Sequence, residues 1–369
     1  MIGSDENSPA DLLRPGSEIA TLLALYDFTL ANKLFSQHFI TQPSSDTAQP
    51  TPFSAFLSFS SYLYQHAYRS ARASLYAYLT LLILLILTES PTTAKLLCDT
   101  AAPVRLCRQR APFLPLPKPA HRPYAAAILD AVAGGLSHNL RKRLDTAFYI
   151  QTLTVLSRLL THLAHSRTKL PYHWSELWRA LLSFLRFLNH YPDDLKSQPD
   201  TPHLVAALAD LLALALTTGE AFLPDPADYD DLVYKLVENG APLANLREVY
   251  GLAATATTSD EETTTTTPPT AAPAINTLVA VSTHYAALIE QSQRSTHEHL
   301  SPKEVARIIK QGYETLRLEP AAEEAEGVAA GTGFREAEHK VRLKRIARVA
   351  VADAGVVVSS AAGVAAAAW

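Results

Sequence analysis

The chain has 369 residues, 48% of them apolar, and its 32 lysines and arginines against 36 aspartates and glutamates give a net charge of −4. This length allows a substantial core, and the near-neutral charge argues against a dedicated nucleic-acid binder with a broad basic surface. Two cysteines, Cys98 and Cys107, are too few for a disulfide-stabilised fold and indicate a reducing compartment. The polar, acidic N-terminal residues do not have the pattern of a secretory signal peptide.

Apolar residues recur at intervals of three or four along most of the chain, which is the period of amphipathic helices. Alternating β patterns are scarce. Helices joined by short turns are typical of α-solenoids, and the chain has no repeat of fixed period. We therefore predict an all-α fold, an irregular armadillo-like helical stack. The predicted helices cover residues 17–38, 53–69, 73–89, 92–99, 124–138, 143–165, 171–190, 202–217, 229–239, 242–251, 274–294 and 302–317.

The segment 73–88, ASLYAYLTLLILLILT, carries no charge over its whole length. A membrane-spanning helix needs about 20 apolar residues. Arg72 and Glu89 border the segment, so extending it into a longer apolar span would bury charge. We favour a central helix of the protein core, and a segment inserted in a membrane is the alternative.

Four segments have compositions that predict loops or disorder, because they are rich in polar residues or proline and have little to bury. We expect the helical domain to span residues 17–318, with a linker at 319–333 before the C-terminal segment. The four segments are 1–16, 41–52, the proline-rich 112–123 and the threonine-rich, acidic 255–270.

The most regular helical pattern covers residues 171–190. Trp174 and Trp178 are four residues apart and so lie on one helix face. Pro171 is predicted at the first helical position, where its missing N–H costs nothing. The same face carries four leucines and should be buried; they are Leu177, Leu181, Leu185 and Leu188.

The C-terminal segment, residues 334–369, begins as a basic amphipathic helix over 334–350 and continues as a tail rich in alanine and valine, which we expect to fray. Two interpretations of the helix remain open: it docks on the stack with its charges in solvent, or it lies on an anionic membrane. Its apolar stripe is Leu343, Ile346, Ala347 and Ala350, and its charges are Lys340, Arg342, Lys344, Arg345 and Arg348.

We predict no catalytic, cofactor-binding or metal-binding residues, and no cofactor. His297 and His299 are not followed by the further histidine that a helical zinc motif needs. His162 and His165 share a helix face, but two ligands do not make a metal site. The acidic residues between 225 and 231 do not have the spacing of a calcium loop and suit the first turn of a helix.

The tryptophan-bearing segment resembles the C-terminal domain of the armadillo-like helical domain-containing protein family. The sequence YHWSELWRALLSFLRFL is similar to the family's Tyr-x-Trp-x-Glu-Leu-Trp-x-Ala-Leu helix, and PYAAAILDAVAGGLSHNL and INTLVAVSTHYAAL are similar to other family helices. The resemblance covers residues 17–318. The positions that match the tryptophan motif are Tyr172, Trp174, Glu176, Leu177, Trp178, Ala180 and Leu181.

The resemblance implies an α-helical scaffold without enzymatic activity, cytoplasmic and peripheral on Golgi membranes. It also implies protein partners, a phosphatidylinositol 4-kinase and an Arf exchange factor. The near-neutral net charge predicts no nucleic-acid partner. The resemblance identifies no partner-binding residue. Relative to full-length members, the chain lacks a long N-terminal helical half and has the threonine-rich insert at 255–270. The alternative function is an integral membrane protein anchored through residues 73–88.

Overall fold

The fold is taken from a computed structural model, which describes residues 16–44, 49–107, 122–141, 144–252, 271–296 and 333–367, with helical backbone also at positions 304, 307, 308, 311 and 312. The predicted loop 255–270 and most of the predicted helix 302–317 and linker 319–333 lie outside the described residues. Residues 1–15, 45–48 and 112–121 also lie outside them.

The described residues are almost entirely helical, so the predicted all-α fold is confirmed. Short 3-10 helices, Ser17–Ala20 and Ala67–Arg69, precede α1 and α4. The helices are α1 Thr21–Ala31, α2 Lys33–Thr41, α3 Pro52–His66, α4 Ala71–Glu89, α5 Pro91–Asp99, α6 Tyr124–His138, α7 Thr146–His165, α8 Trp174–His190, α9 Pro192–Lys196, α10 Thr201–Phe222, α11 Pro226–Glu238, α12 Gly240–Val249, α13 Ala271–Thr296 and α14 Glu336–Ala367.

The helices pack in two parallel rows, as in an α-solenoid. One row runs α1, α4, α7, α10 and α13, each helix packing on the next, and the other runs α3, α6, α8 and α12. The rows meet where α3 packs on α4, α6 on α7 and α12 on α13. One continuous apolar core lies between the rows, so each helix buries a face that it could not bury alone.

The helix α4 occupies the second place in its row and is enclosed by α1, α3, α5, α7 and α14. Ten consecutive side chains, from Tyr76 to Leu85, are buried. A helix that is apolar all round is stable in the middle of a core. The enclosure supports the core interpretation of the segment 73–88.

The helix α8 supplies the aromatic centre of the core. Trp174 and Trp178 are both buried, and their rings stack with centroids 5.6 Å apart. Phe222, at the end of α10, packs against Trp174 at 5.1 Å. All four predicted leucines of this face are fully buried, so the helical period assigned the correct face.

The predicted position of Pro171 is wrong. The helix α8 begins at Trp174 with His173 as its N-cap residue, and Pro171 lies before it. The preceding segment is held outside the helix because the amide of Leu170 donates to the carbonyl of Phe222 at 3.2 Å. The indole Nε1 of Trp174 in turn donates to the carbonyl of Leu170 at 3.1 Å.

The predicted single helix over 17–38 is also wrong, because it is interrupted at Asn32. This residue has extended backbone, φ −137° and ψ 107°, and its side chain accepts hydrogen bonds from the amides of Leu34 and Phe35 at 2.9 and 3.1 Å. An asparagine in this position is a favourable N-cap. The chain therefore turns between α1 and α2.

Two further predictions differ from the structure at their boundaries. Residues 122–123, placed in the loop 112–123, form a short antiparallel strand pair with residues 101–102. The C-terminal tail is not frayed from residue 351, because α14 continues as one helix to Ala367.

Candidate docking surfaces

An ion pair and a cysteine thiol are polar groups buried in the interior of the fold. Arg122 and Asp130 form an ion pair in which both side chains are almost fully buried. Burial raises the pKa of the Cys98 thiol to about 12, which makes this thiol unreactive at neutral pH. Within the described ranges, no three histidine, cysteine, aspartate or glutamate side chains are grouped to hold a metal ion. His297 and His299 lie outside these ranges.

The helix α14 is docked on the start of the stack, against α1, α4 and the 3-10 helix Ser17–Ala20. Its inner face buries His339, Ile346 and Ala350. This agrees with the first interpretation of the basic helix, in which it packs on the stack through its apolar stripe. Leu343 and Ala347 of that stripe are only half-buried.

A charged contact fixes the N-terminal half of α14. The guanidinium of Arg342 donates to both carboxylate oxygens of Asp145, at 2.7 and 3.2 Å, and lies 4.8 Å from the ring centre of Tyr78. Ser74 donates a hydrogen bond to the same carboxylate at 2.7 Å. Burial alone would raise the pKa of Asp145, but these partners outweigh burial and lower it. Arg342 is therefore a docking residue and does not belong to the solvated charges.

Contacts at two more residues fix the rotation of α14. The phenol oxygen of Tyr78 lies 2.9 Å from Nδ1 of His339, and burial lowers the pKa of this histidine. Further along the helix, Asp353 accepts from Nε of Arg72 at 2.9 Å and from the phenol of Tyr76 at 2.7 Å. These contacts turn one face of α14 inward over about four turns.

The turn at Asn32 creates an exposed apolar surface, which we name the apolar corner and define as Phe28, Leu30, Leu34 and Phe35. Phe28 is 58% exposed and Leu34 is 73% exposed. The rings of Phe28 and Phe35 are in contact, with centroids 5.4 Å apart. Phe35 continues inward to Phe39 at 6.0 Å, so the corner is held in place by the core.

An open groove of about 570 Å³ separates α1 from α14. Its walls carry charges of both signs: Asp27 lies on α1, and Glu336, Lys340 and Lys344 lie on α14. Tyr26 forms its floor, and burial, followed by the charge of Glu336, raises the pKa of this phenol. A groove with balanced charge has no preference for an ion of either sign.

Three described helices are long and apolar enough to cross a membrane, by length and composition alone: Ala71–Glu89, Thr201–Phe222 and Ala272–Arg294. In the fold, 72% of the apolar window of the first is buried, against 39% for the last. The sequence singled out only the first, because the others carry polar residues within the apolar pattern.

The sequence pattern predicted neither the apolar corner nor the partners of α14. The apolar corner forms because Asn32 caps α2, and the preference of asparagine for helix caps is a signal present in the local sequence. The partners of Arg342 and Asp353 lie 197 and 281 residues away along the chain, and no local pattern contains that information.

Comparison with known proteins finds several relatives with similar sequences. A UPF0588 membrane protein of Schizosaccharomyces pombe is 28% identical over 239 residues, which cover 64% of this chain and 39% of that protein. Armadillo-like helical domain-containing protein 3 is 26% identical in both Homo sapiens and Xenopus laevis. The matches cover 53% and 75% of this chain, and 28% and 42% of those proteins.

The chain therefore spans less than half the length of these curated relatives. No solved structure matches it. The family described as "Armadillo-like helical domain-containing protein 3, C-terminal" matches residues 122–356, which extend from the strand before α6 into the second half of α14. This range is more than half of the chain, and the chain belongs to the armadillo-like helical domain-containing protein 3 family.

Proposed function

We propose that this chain is a non-enzymatic helical scaffold that acts at the cytoplasmic face of Golgi membranes by binding protein partners. The proposed partners are a phosphatidylinositol 4-kinase and an Arf guanine-nucleotide exchange factor, in line with the family resemblance. The observation that carries the scaffold role is the apolar corner, an aromatic and leucine surface at the first turn of the stack.

The physical support comes from exposure and rigidity. Phe28 and Leu34 belong to a short set of large apolar side chains that are exposed among the described residues. Aromatic side chains that are held rigid before binding lose little entropy on contact and are common anchors of protein interfaces. The stack behind the corner supplies that rigidity, because Phe39 packs edge-on against Phe53 at 5.3 Å.

Affinity purification tests the proposal. Tagged full-length chain, recovered from a detergent extract, should bring down a phosphatidylinositol 4-kinase or an Arf exchange factor. The double variant Phe28→Ser/Leu34→Ser should lose that partner at least tenfold, since each anchor contributes about 1 kcal/mol or more.

The matched control is Val356→Ser/Val358→Ser on α14, whose side chains are similarly exposed at 57% and 68%. It should recover the partner as the wild type does. Recovery of neither protein class by the wild type would refute the proposed partners. Equal recovery by the two double variants would remove the apolar corner as the contact surface.

An integral membrane protein anchored through α4 is the second candidate. It is favoured by the length and apolar composition of Ala71–Glu89 and by the name of the fission-yeast relative. The burial of Tyr76 to Leu85 among five other helices weighs against it, because a lipid-facing helix would have to leave the core. Extraction of membranes with alkaline carbonate separates the two: a peripheral scaffold is released, and an anchored protein is retained.

A further inference from the structure

One side of α14 does not pack on the stack and is separate from the apolar corner. Because His339, Ile346, Ala350 and Asp353 point into the stack, the other side of the helix faces solvent, and one of its edges borders the groove with α1. We name this side the outer face of α14 and define it by Lys340, Val341, Lys344, Arg348, Val351, Gly355 and Val358. Lys340 and Lys344 are exposed at the edge of this face that borders the groove with α1.

The charges of the outer face all have one sign. Lys340, Lys344 and Arg348 are exposed there, and Arg345 is exposed beside them. The acidic residues of the helix are not part of this face, although Glu336 lines the groove beside Lys340 and Lys344. Glu336 and Glu338 are in the first turn, where they suit the helix dipole, and Asp353 is turned inward. A cationic face on a chain of net charge −4 is a local concentration of positive charge.

The same face is also apolar. Val341, Val351 and Val358 are 68%, 70% and 68% exposed, and Val356 is 57% exposed at its edge. Four of the seven exposed large apolar side chains among the described residues are valines of this one helix. From residue 354 to residue 359 no side chain is buried.

We propose that the outer face of α14 binds the surface of an anionic lipid bilayer, with the lysines and arginine at the headgroups and the valines of the same face entering the interface. The face extends about 26 Å along a straight helix, from residue 341 to residue 358. Basic residues and exposed apolar residues on one side of a helix are the features that bind anionic membranes.

A bilayer fits this face better than a nucleic acid does. The outer face has no aromatic ring to stack on bases and no asparagine or glutamine to read their edges. Contact with a phosphate backbone would not stabilise an exposed valine. Transfer of the same side chain from water to the lipid interface lowers the free energy. The inference rests on the proposed function, for which it supplies the membrane-contacting surface.

Vesicle co-sedimentation with the purified full-length chain tests the inference. The chain should bind vesicles of phosphatidylcholine with 30% phosphatidylserine and should not bind pure phosphatidylcholine vesicles. The variant Lys340→Glu/Lys344→Glu/Arg348→Glu should partition about 100-fold more weakly, from the contribution of each basic residue near an anionic surface. Val351→Asp/Val358→Asp should weaken partitioning by about tenfold or more.

The control variant has the same change in net charge at exposed lysines outside α14, Lys95→Glu/Lys169→Glu/Lys196→Glu. It should bind anionic vesicles within about threefold of the wild type. Circular dichroism should be unchanged for all three variants, since every substituted side chain is exposed.

Three outcomes would overturn the inference. They are equal binding to neutral and anionic vesicles, equal weakening by the control and the α14 charge variant, and binding to a single-stranded RNA oligonucleotide without binding to either vesicle. Each leaves the partner-recovery test in detergent unaffected. Loss of partner recovery with intact vesicle binding would refute the proposed partners and leave the membrane surface standing.

Discussion

The stacked pair of tryptophans in α8 allows a sharp test of the fold. Trp178 is fully buried and lies against Trp174 at 5.6 Å. Truncating such a side chain to alanine removes its transfer free energy and leaves a cavity, which together cost about 3–5 kcal/mol. For a chain of this length the entropy of unfolding is about 0.6–0.8 kcal/mol/K, so Trp178→Ala should lower the melting temperature by about 4–8 °C.

Phenylalanine substitutions test the hydrogen bonding of the two indole N–H groups separately. Nε1 of Trp174 donates to the carbonyl of Leu170 at 3.1 Å. Nε1 of Trp178 is buried without an acceptor among the described residues. Because phenylalanine has no donor, Trp178→Phe removes an unsatisfied N–H, which offsets about 1–3 kcal/mol of the lost packing. Trp174→Phe removes a satisfied N–H and leaves the carbonyl of Leu170 without its donor. Trp174→Phe should therefore be the more destabilising of the two.

Thermal unfolding followed by circular dichroism and by tryptophan fluorescence measures these differences. Arg179→Ala, at a side chain 60% exposed on the same helix, is the control and should cost less than about 0.5 kcal/mol. A loss below roughly 1 kcal/mol for Trp178→Ala would contradict the burial. Equal losses for the two phenylalanine variants would contradict the hydrogen-bond assignment.

Two further predictions concern buried charge. Arg122→Met should lower the free energy of unfolding by about 3–5 kcal/mol, because it removes the guanidinium that faces the buried carboxylate of Asp130. The double variant Arg122→Met/Asp130→Leu should recover much of this loss in a denaturant titration, and no recovery would argue against the pairing. The second prediction concerns His339, whose pKa is lowered from 6.5 by burial. The fold favours its neutral form, so its contribution is complete above pH 6.5 and is lost as the pH falls through that value toward the folded-state pKa. The amides of α14 should exchange faster at pH 5.5 than at pH 7.5 after correction for intrinsic exchange. A His339→Gln variant should show a smaller difference, and a wild type with no pH effect would refute the argument.

Whether residues 73–88 span a membrane or lie in the core depends on both composition and packing. Composition alone made residues 73–88 a candidate for a membrane span, because an uncharged apolar run suits lipid and protein core equally well. The segment lies between α1 and α7 in the stack, and this position could not be read from the run itself. The valines of α14 are the reverse case: they sit in a weakly apolar pattern, and their exposure depends on which side of the helix is docked.

The sequence by itself determined which segments are helical and which face of the longest patterns is apolar. Helical period, caps and prolines act within a few residues, so Leu177 to Leu188 and the basic helix from residue 334 could be assigned before any fold was known. The exception at Asn32 was also local, and its preference for a cap outweighed the apolar period on both sides.

Only the tertiary structure decided what each face touches. Arg342 was indistinguishable from Lys344 in the sequence, yet one pairs with Asp145 and the other is exposed. The difference arises because a charge becomes a docking residue or a surface residue through partners hundreds of positions away. Those partners are brought together by the packing of whole helices, and the spacing of residues along one helix carries no information about them.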